Sequence, residues 1–202
     1  VILTPAAARG TGMVKIAEEY AKKHGAYLTR QFDNPANPAY HRATTGAEIV
    51  RDFAGKRLDW WVTGWGTGGT LTGAGEMLKL ARPDLKICVS EPAGAAMLAG
   101  KEWSPHKIQG WTPDFIGSVL NREIFDRDEL IDDLTARDTA RALAQQEGIF
   151  CGLSSGATFA AALAVAKDAE QGTVILAMLP DTGERYLSTF LFEGINEGTD
   201  EE

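Results

Sequence analysis

Asp59-Trp60-Trp61-Val62-Thr63-Gly64-Trp65-Gly66-Thr67-Gly68-Gly69-Thr70 is the stretch from which the rest of the chain is read. Asp59–Thr63 has the apolar, β-branched and aromatic character of a short buried strand, and helical spacing follows through Leu80. Between them lies a glycine-rich turn. Glycines let a backbone turn tightly and point successive N–H groups into one concavity. A following helix adds its unpaired N–H groups and the positive end of its dipole. Thr67 and Thr70 add hydroxyl donors, so the segment can hold a phosphate without a lysine. A plain tight turn is the simpler alternative. A dinucleotide fingerprint fits poorly, since the acidic residue expected about 20 positions on would fall near Leu85. Glu91 lies beyond that point, and spacing alone does not exclude NAD. No Lys-Ser/Thr follows the glycines, which excludes a P-loop.

Outward from this stretch, strand-like and helix-like segments alternate. Upstream, Val1–Leu3 is apolar and strand-like, and Gly10–His24 shows helical spacing at Met13, Ile16, Ala17 and Tyr20. Ala26–Leu28 and Gln31–Phe32 read as extended, Asp33–Pro38 as a loop and His41–Phe53 as a helix closed by Ala54-Gly55. Downstream, Leu85–Val89 reads as a strand, and about 92–114 as irregular. Glu123–Phe125 is a candidate strand, Asp133–Glu147 a helix, and Ile149–Leu153 a short apolar run. Ser154–Ala169 is a helix of small residues, and Thr173–Leu179 a buried strand. Repeated units of this kind predict an α/β fold: a mostly parallel twisted sheet with helices on both faces.

The 202 residues carry a formal net charge of −8 and no Lys/Arg cluster, which argues against nucleic acid and anionic membrane as partners. Glu193, Glu197, Asp200, Glu201 and Glu202 read as a solvated tail. Cys88 and Cys151 sit in separate apolar stretches and read as buried thiols, and His24, His41 and His106 share no ligand spacing, so no metal site is expected. No run reaches the roughly 18 apolar residues of a membrane span, no signal peptide opens the chain, and a cytoplasmic protein is expected. Because Val1 opens the chain in mid-strand without a Met, the true N-terminus is expected to be missing.

Two further motifs carry polar chemistry. Cys151-Gly152-Leu153-Ser154-Ser155-Gly156-Ala157 leads into the small-residue helix, where a serine is as readily a helix cap as a ligand. Leu179-Pro180-Asp181-Thr182-Gly183-Glu184-Arg185-Tyr186-Leu187-Ser188-Thr189 follows the last strand, and its plain alternative is a turn with an exposed ion pair. All three motifs are expected at the C-terminal ends of strands, where parallel sheets bind ligands.

Taken in order, Q-F-D-N-P-A-N-P from Gln31, Thr44-Thr45-Gly46, G-T-G-G-T-L-T-G from Gly66, His106-Lys107-Ile108-Gln109-Gly110, S-S-G-A from Ser154 and G-E-R-Y-L-S-T from Gly183 resemble the O-acetylserine sulfhydrylase (cysteine synthase) family of fold-type II pyridoxal-phosphate enzymes. The match runs from about Gly10 to Phe192 and corresponds to the C-terminal two-thirds of that family.

The resemblance implies the cofactor pyridoxal 5′-phosphate, with its phosphate cradled by Gly66, Thr67, Gly68, Gly69 and Thr70 and its pyridine nitrogen met by Ser154. A serine there makes the ring a shallower electron sink than a carboxylate would, which favours β-elimination over transamination. Gln31 is implied at the substrate carboxylate, and Gly110 on the loop at the mouth. Many relatives are glycine-richer where this chain has Trp111, so substrate contacts do not carry over in detail. The implied reaction is the transferase step of cysteine biosynthesis: O-acetyl-L-serine and sulfide give L-cysteine and acetate. A homodimer is implied, and a partner: the C-terminal isoleucine tail of serine acetyltransferase, with His106–Lys107 as rim charge. A cystathionine β-synthase-like enzyme and a non-catalytic remnant that serves as a binding partner are the alternatives.

One family feature is missing. The lysine that the family links to its cofactor lies in a P-x-x-S-x-K-D-R type segment, and none of Lys15, Lys22, Lys23, Lys56, Lys79, Lys86, Lys101, Lys107 or Lys167 stands in such a context. The chain alone is therefore expected to be inactive and to carry no catalytic residue. Residues 1–33 are expected to be left over from a smaller N-terminal domain, and residues 34–202 to form the large cofactor-binding domain.

Overall fold

The computed structural model describes residues 1–195, so most of the acidic tail expected above lies outside the described residues. Four parallel strands form its centre: β1 (Trp60–Gly64), β2 (Lys86–Pro92), β3 (Arg127–Ile131) and β4 (Ile175–Ala177), side by side in the order β3-β2-β1-β4. Trp61 pairs with Ile87, Val62 with Cys88 and Val89 with Asp128. Successive residues of a strand face opposite ways, and the core divides accordingly. Trp61, Ile87 and Val89 pack with Leu71, Ala74 and Leu78 of α4 (Gly69–Ala81). Val62 and Cys88 pack with α5 (Asp133–Glu147) and α6 (Leu153–Asp168) through Ala136, Ala140, Ala157, Ala161 and Val165. The fold is α/β, a parallel sheet with helices on both faces.

The small residues of α6 have a packing reason. A Cβ built on Gly156 would stand 2.1 Å from the Ala136 carbonyl oxygen, so α5 and α6 approach backbone to backbone. Asp132 caps α5 by accepting from the Thr135 N–H, and Gly148 ends it at φ 70°.

Several expectations shift. The strand expected at Glu123–Phe125 forms instead at Arg127–Ile131. The Asp126 carboxylate takes the Ile87 N–H at 2.7 Å and its own N–H reaches the Ile87 carbonyl, so the ladder starts one residue later, while Ile124 packs against Gly75. Cys151 makes only an isolated antiparallel bridge to Thr182, so the serine motif does not follow a strand. The expected Asp33–Pro38 loop already turns into α2 (Ala36–His41), which runs through a π-type turn into α3 (Ala47–Asp52). Gln31–Phe32 is a turn, after Arg30 at φ 51°.

The first 30 residues stand apart from the two cores. Val1–Leu3 is exposed and pairs with no strand among the described residues. Next comes α1 (Arg9–His24), which buries no residue, although Met13, Ile16 and Tyr20 share a face. It is held to the long irregular segment by the Arg9 guanidinium over the Trp103 ring at 4.4 Å, and by the Thr11 N–H and hydroxyl donating to Asp114 at 3.0 and 2.8 Å. No described helix is long and apolar enough to cross a membrane.

Candidate functional site

The glycine turn forms between β1 and α4 as the sequence predicts, and each of its glycines answers to a different neighbour. A Cβ on Gly66 would meet the Gly110 carbonyl oxygen at 2.3 Å, and one on Gly69 the Asn37 Oδ1 at 1.9 Å. Gly68 stands at φ 88° with Leu120 2.5 Å from its would-be Cβ. The Asn37 amide donates to the Thr67 hydroxyl oxygen at 2.9 Å and to the Gln31 carbonyl at 2.8 Å, and the Gly69 N–H donates to Thr67 Oγ1 at 3.2 Å. Substituting Gly68 by alanine combines left-handed strain with overpacking against Leu120 and is expected to cost about 2–4 kcal/mol. An unchanged urea midpoint would mean that the turn takes another path.

The turn opens on a cavity of about 500 Å³, a size suited to a small cofactor. One wall holds Gly66, Thr70, His41 and Thr45. A second comes from Gln109, Gly110 and Trp111, and a third from Ser154 and Thr158 of α6 with Pro180, Asp181 and Tyr186 beyond β4. His41 spans the first wall: its Nδ1 is 2.9 Å from Thr45 Oγ1 and its Nε2 is 3.2 Å from Thr70 Oγ1. Burial lowers its pKa below the usual imidazole value, which favours the neutral ring.

In the second wall the Trp111 indole lies so close to the strand end that a Cβ on Gly64 would meet it at 1.9 Å. Its neighbour Thr112 sits at φ 36°, a conformation that β-branched residues avoid. Three contacts hold it there. Its N–H donates to the Trp65 carbonyl at 3.0 Å, and its carbonyl accepts from Trp103 Nε1 at 2.8 Å and from the His106 ring at 3.3 Å. Lys107 Nζ lies 3.8 Å from the centre of the Phe190 ring. Both members of the basic pair thus have partners on the chain itself, with Lys107 exposed at the surface and the His106 ring half-buried.

Ser154 is 4% exposed, lies in the first turn of α6 and lines the cavity, while Gly152 occupies the N-cap position. Asp181 accepts the Tyr186 hydroxyl at 2.6 Å, and burial first, with that contact second, pushes the tyrosine up to about 12.

Of the residues singled out from the sequence, Gly66, Thr70, Gly110 and Ser154 meet at this cavity, and Thr67, Gly68 and Gly69 build the turn behind it. Gln31 does not join them. Its side chain is exposed beside a separate hollow lined by Met13, Phe32 and Asp33, because the turn at Arg30 carries it outward. Asn37, His41, Thr45, Asp181 and Tyr186 were missed as site residues. Asn37, Thr45, Asp181 and Tyr186 fall inside motifs that the sequence displays and His41 lies between two of them, yet spacing does not reveal that segments so far apart meet around one cavity. No lysine lines it among the described residues.

The family model described as pyridoxal-phosphate dependent enzyme matches residues 2–181. The chain belongs to this family. It is 58% identical over 201 residues to the O-ureido-L-serine synthase of Streptomyces lavendulae, covering 100% of this chain and 62% of that protein. It is 43% identical over 192 residues to the cysteine synthase of Staphylococcus aureus, covering 95% and 62%. A crystal structure of O-ureido-L-serine synthase superposes with a TM-score of 0.95 at 59% identity, over 98% of this chain and 63% of that one. The chain thus spans somewhat under two-thirds of these relatives. The family's cofactor is pyridoxal phosphate, and the cavity suits it: a glycine turn that admits no Cβ faces one side, and a serine hydroxyl on a helix faces another.

Proposed function

We propose that the full-length protein performs a β-replacement on an O-acylated L-serine. In this proposal Gly66–Thr70 hold the phosphate of pyridoxal phosphate, Ser154 meets its ring nitrogen, and a lysine from outside this chain completes the site. When bound, the cofactor withdraws electrons from the amino acid's Cα, which lets the β-substituent leave. The chain's own groups position it. Thr70 has one hydroxyl proton, and the neutral His41 can donate Nε2–H to the Thr70 oxygen while accepting from Thr45, leaving the Thr70 proton free for the phosphate. Residues 1–33 belong, in the same proposal, to a smaller lobe that covers the exposed apolar face of α1.

The acceptor we propose is hydroxyurea, whose hydroxyl oxygen joins Cβ as acetate leaves, giving O-ureido-L-serine. The observation that carries it is Trp111, 9% exposed and seated on Gly64 in the cavity wall. A planar urea group finds a stacking surface on the indole that sulfide does not require. The 58% identity to an O-ureido-L-serine synthase supports the same choice. A second acceptor, sulfide giving L-cysteine, is favoured by the S-S-G-A and G-E-R-Y-L-S-T motifs and by the 43% identity to a cysteine synthase.

Incubating the full-length protein with pyridoxal phosphate, O-acetyl-L-serine and equal hydroxyurea and sulfide separates the two by mass spectrometry. O-ureido-L-serine is expected as the major product. Cysteine alone would move the assignment to the second acceptor, and neither product would remove the β-replacement proposal altogether.

A further inference from the structure

Asn37 lies in the first turn of α2, outside the glycine turn, and its side chain is fixed from two sides. A Cβ on Gly73 would stand 2.0 Å from the Pro38 carbonyl oxygen, so α2 meets α4 backbone to backbone, and a Cβ on Gly69 would stand 1.9 Å from Asn37 Oδ1. The amide nitrogen of Asn37 reaches the Gln31 carbonyl at 2.8 Å and Thr67 Oγ1 at 2.9 Å. A carbonyl only accepts, so the group that faces it is the NH2, and both of its hydrogens are engaged. Thr67 Oγ1 therefore accepts from Asn37, and it accepts again from the Gly69 N–H at 3.2 Å. A hydroxyl has two lone pairs and one hydrogen. Both lone pairs of Thr67 are occupied, and its hydroxyl donates to no group among the described residues. The role of Thr70 depends on the tautomer of His41, whereas Thr67 has only the role of donor left.

We infer that Asn37 is a positioning residue for the cofactor's phosphate: by occupying a lone pair of Thr67 it compels that hydroxyl to donate to an anion at the turn. The inference rests on the proposed placement of the phosphate at Gly66–Thr70 and adds a residue from outside the turn. Neither lysine nor arginine lines the cavity among the described residues, so a phosphate there is met by neutral donors. Aspartate at position 37 has the shape of asparagine but can only accept, and it would take the Thr67 hydrogen for itself. An Asn37 that merely fastened α2 to the turn would act alike whether or not residue 67 carried a hydroxyl.

Pyridoxine 5′-phosphate is the probe, since it has no aldehyde and needs no lysine, and pyridoxine, which lacks the phosphate, is the control. Titration calorimetry gives their affinities for the full-length protein as wild type, Asn37→Asp, Thr67→Val and the double variant. Asn37→Asp is expected to weaken binding of the phosphate ester by about 10- to 100-fold and to leave that of pyridoxine within about twofold. In the Thr67→Val background no hydroxyl remains to be turned, and the same substitution is expected to cost at least about threefold less. Equal costs in the two backgrounds would leave only charge and fit, and equal weakening of both probes only a general loosening. Either result overturns the role of Asn37. If Asn37→Asp does not fold, Asn37→Ala replaces it in the same cycle, where equal costs again overturn the inference. A wild-type protein that binds pyridoxine 5′-phosphate no better than pyridoxine overturns instead the placement of the phosphate at the turn.

Discussion

Replacing Glu91 by alanine is expected to lower stability by about 3–5 kcal/mol, the usual cost of removing one member of a buried charged network. Glu91 ends the apolar run of β2 and is 0% exposed. It accepts from the Trp65 indole N–H at 2.9 Å and from the Leu98 and Ala99 N–H groups, each at 3.1 Å. Alanine leaves the buried Trp65 indole N–H and the part-buried Leu98 and Ala99 N–H groups without an acceptor and opens a cavity under the loop after β2. A loss of that size in a domain of this length lowers the melting temperature by roughly 6–20 °C. The site should suffer as well, because Trp65 adjoins Gly66 and its carbonyl takes the Thr112 N–H. Calorimetry together with pyridoxal phosphate affinity checks both. A melting temperature within a degree of wild type would mean that water replaces the carboxylate.

The carboxyl of Asp128 should make stability fall as pH rises from about 4 to 7, and Asp128→Asn should flatten that slope. Val89 pairs with Asp128, which puts the aspartate on the sheet face shared by Val89 and Glu91. Both of its carboxyl oxygens are buried without a hydrogen-bond partner. Burial first, and the nearby Glu91 second, push it up to about 7 from an ordinary value of 3.8. The sign follows from linkage. Between those two values the folded state binds the proton more tightly than the unfolded chain, so raising pH draws the proton off and costs stability. With allowance for the partial exposure of Asp128, the loss is about 1–2 kcal/mol. Asparagine imitates the protonated acid and stays neutral. Urea unfolding at pH 4.5 and 7.5 measures the difference, and equal slopes in the two proteins would sink the assignment.

How far the sequence carried differs from one element to another. Asp133–Glu147 was legible to the residue, because Asp132 and Gly148 are local signals whose physics is complete within one helical turn. The turn at Gly66–Thr70 was legible for the same reason: glycines between an apolar run and a helical period can do little else. The start of β3 was not, since it depends on the Asp126 carboxylate meeting the Ile87 N–H, 39 residues away in sequence. Gln31–Phe32 reads as extended but forms a turn, because a single left-handed residue, Arg30, redirects the chain without any glycine to announce it.

The sequence by itself determined the α/β class, the parallel order of strand and helix, the phosphate-type turn and the family, all of which rest on local periodicity and ordered motifs. Tertiary structure alone decided which of those motifs share a cavity. It brought Asp181 to Gly152, His41 to Thr70 and Trp111 onto Gly64. It also made Glu91, which could pass for a nucleotide-binding acidic residue, a buried acceptor for three N–H groups. The physical reason is range. Hydrogen bonding within a turn and the burial period of a strand are written over a few neighbours. Charge, burial and close packing depend on what the fold sets beside each residue.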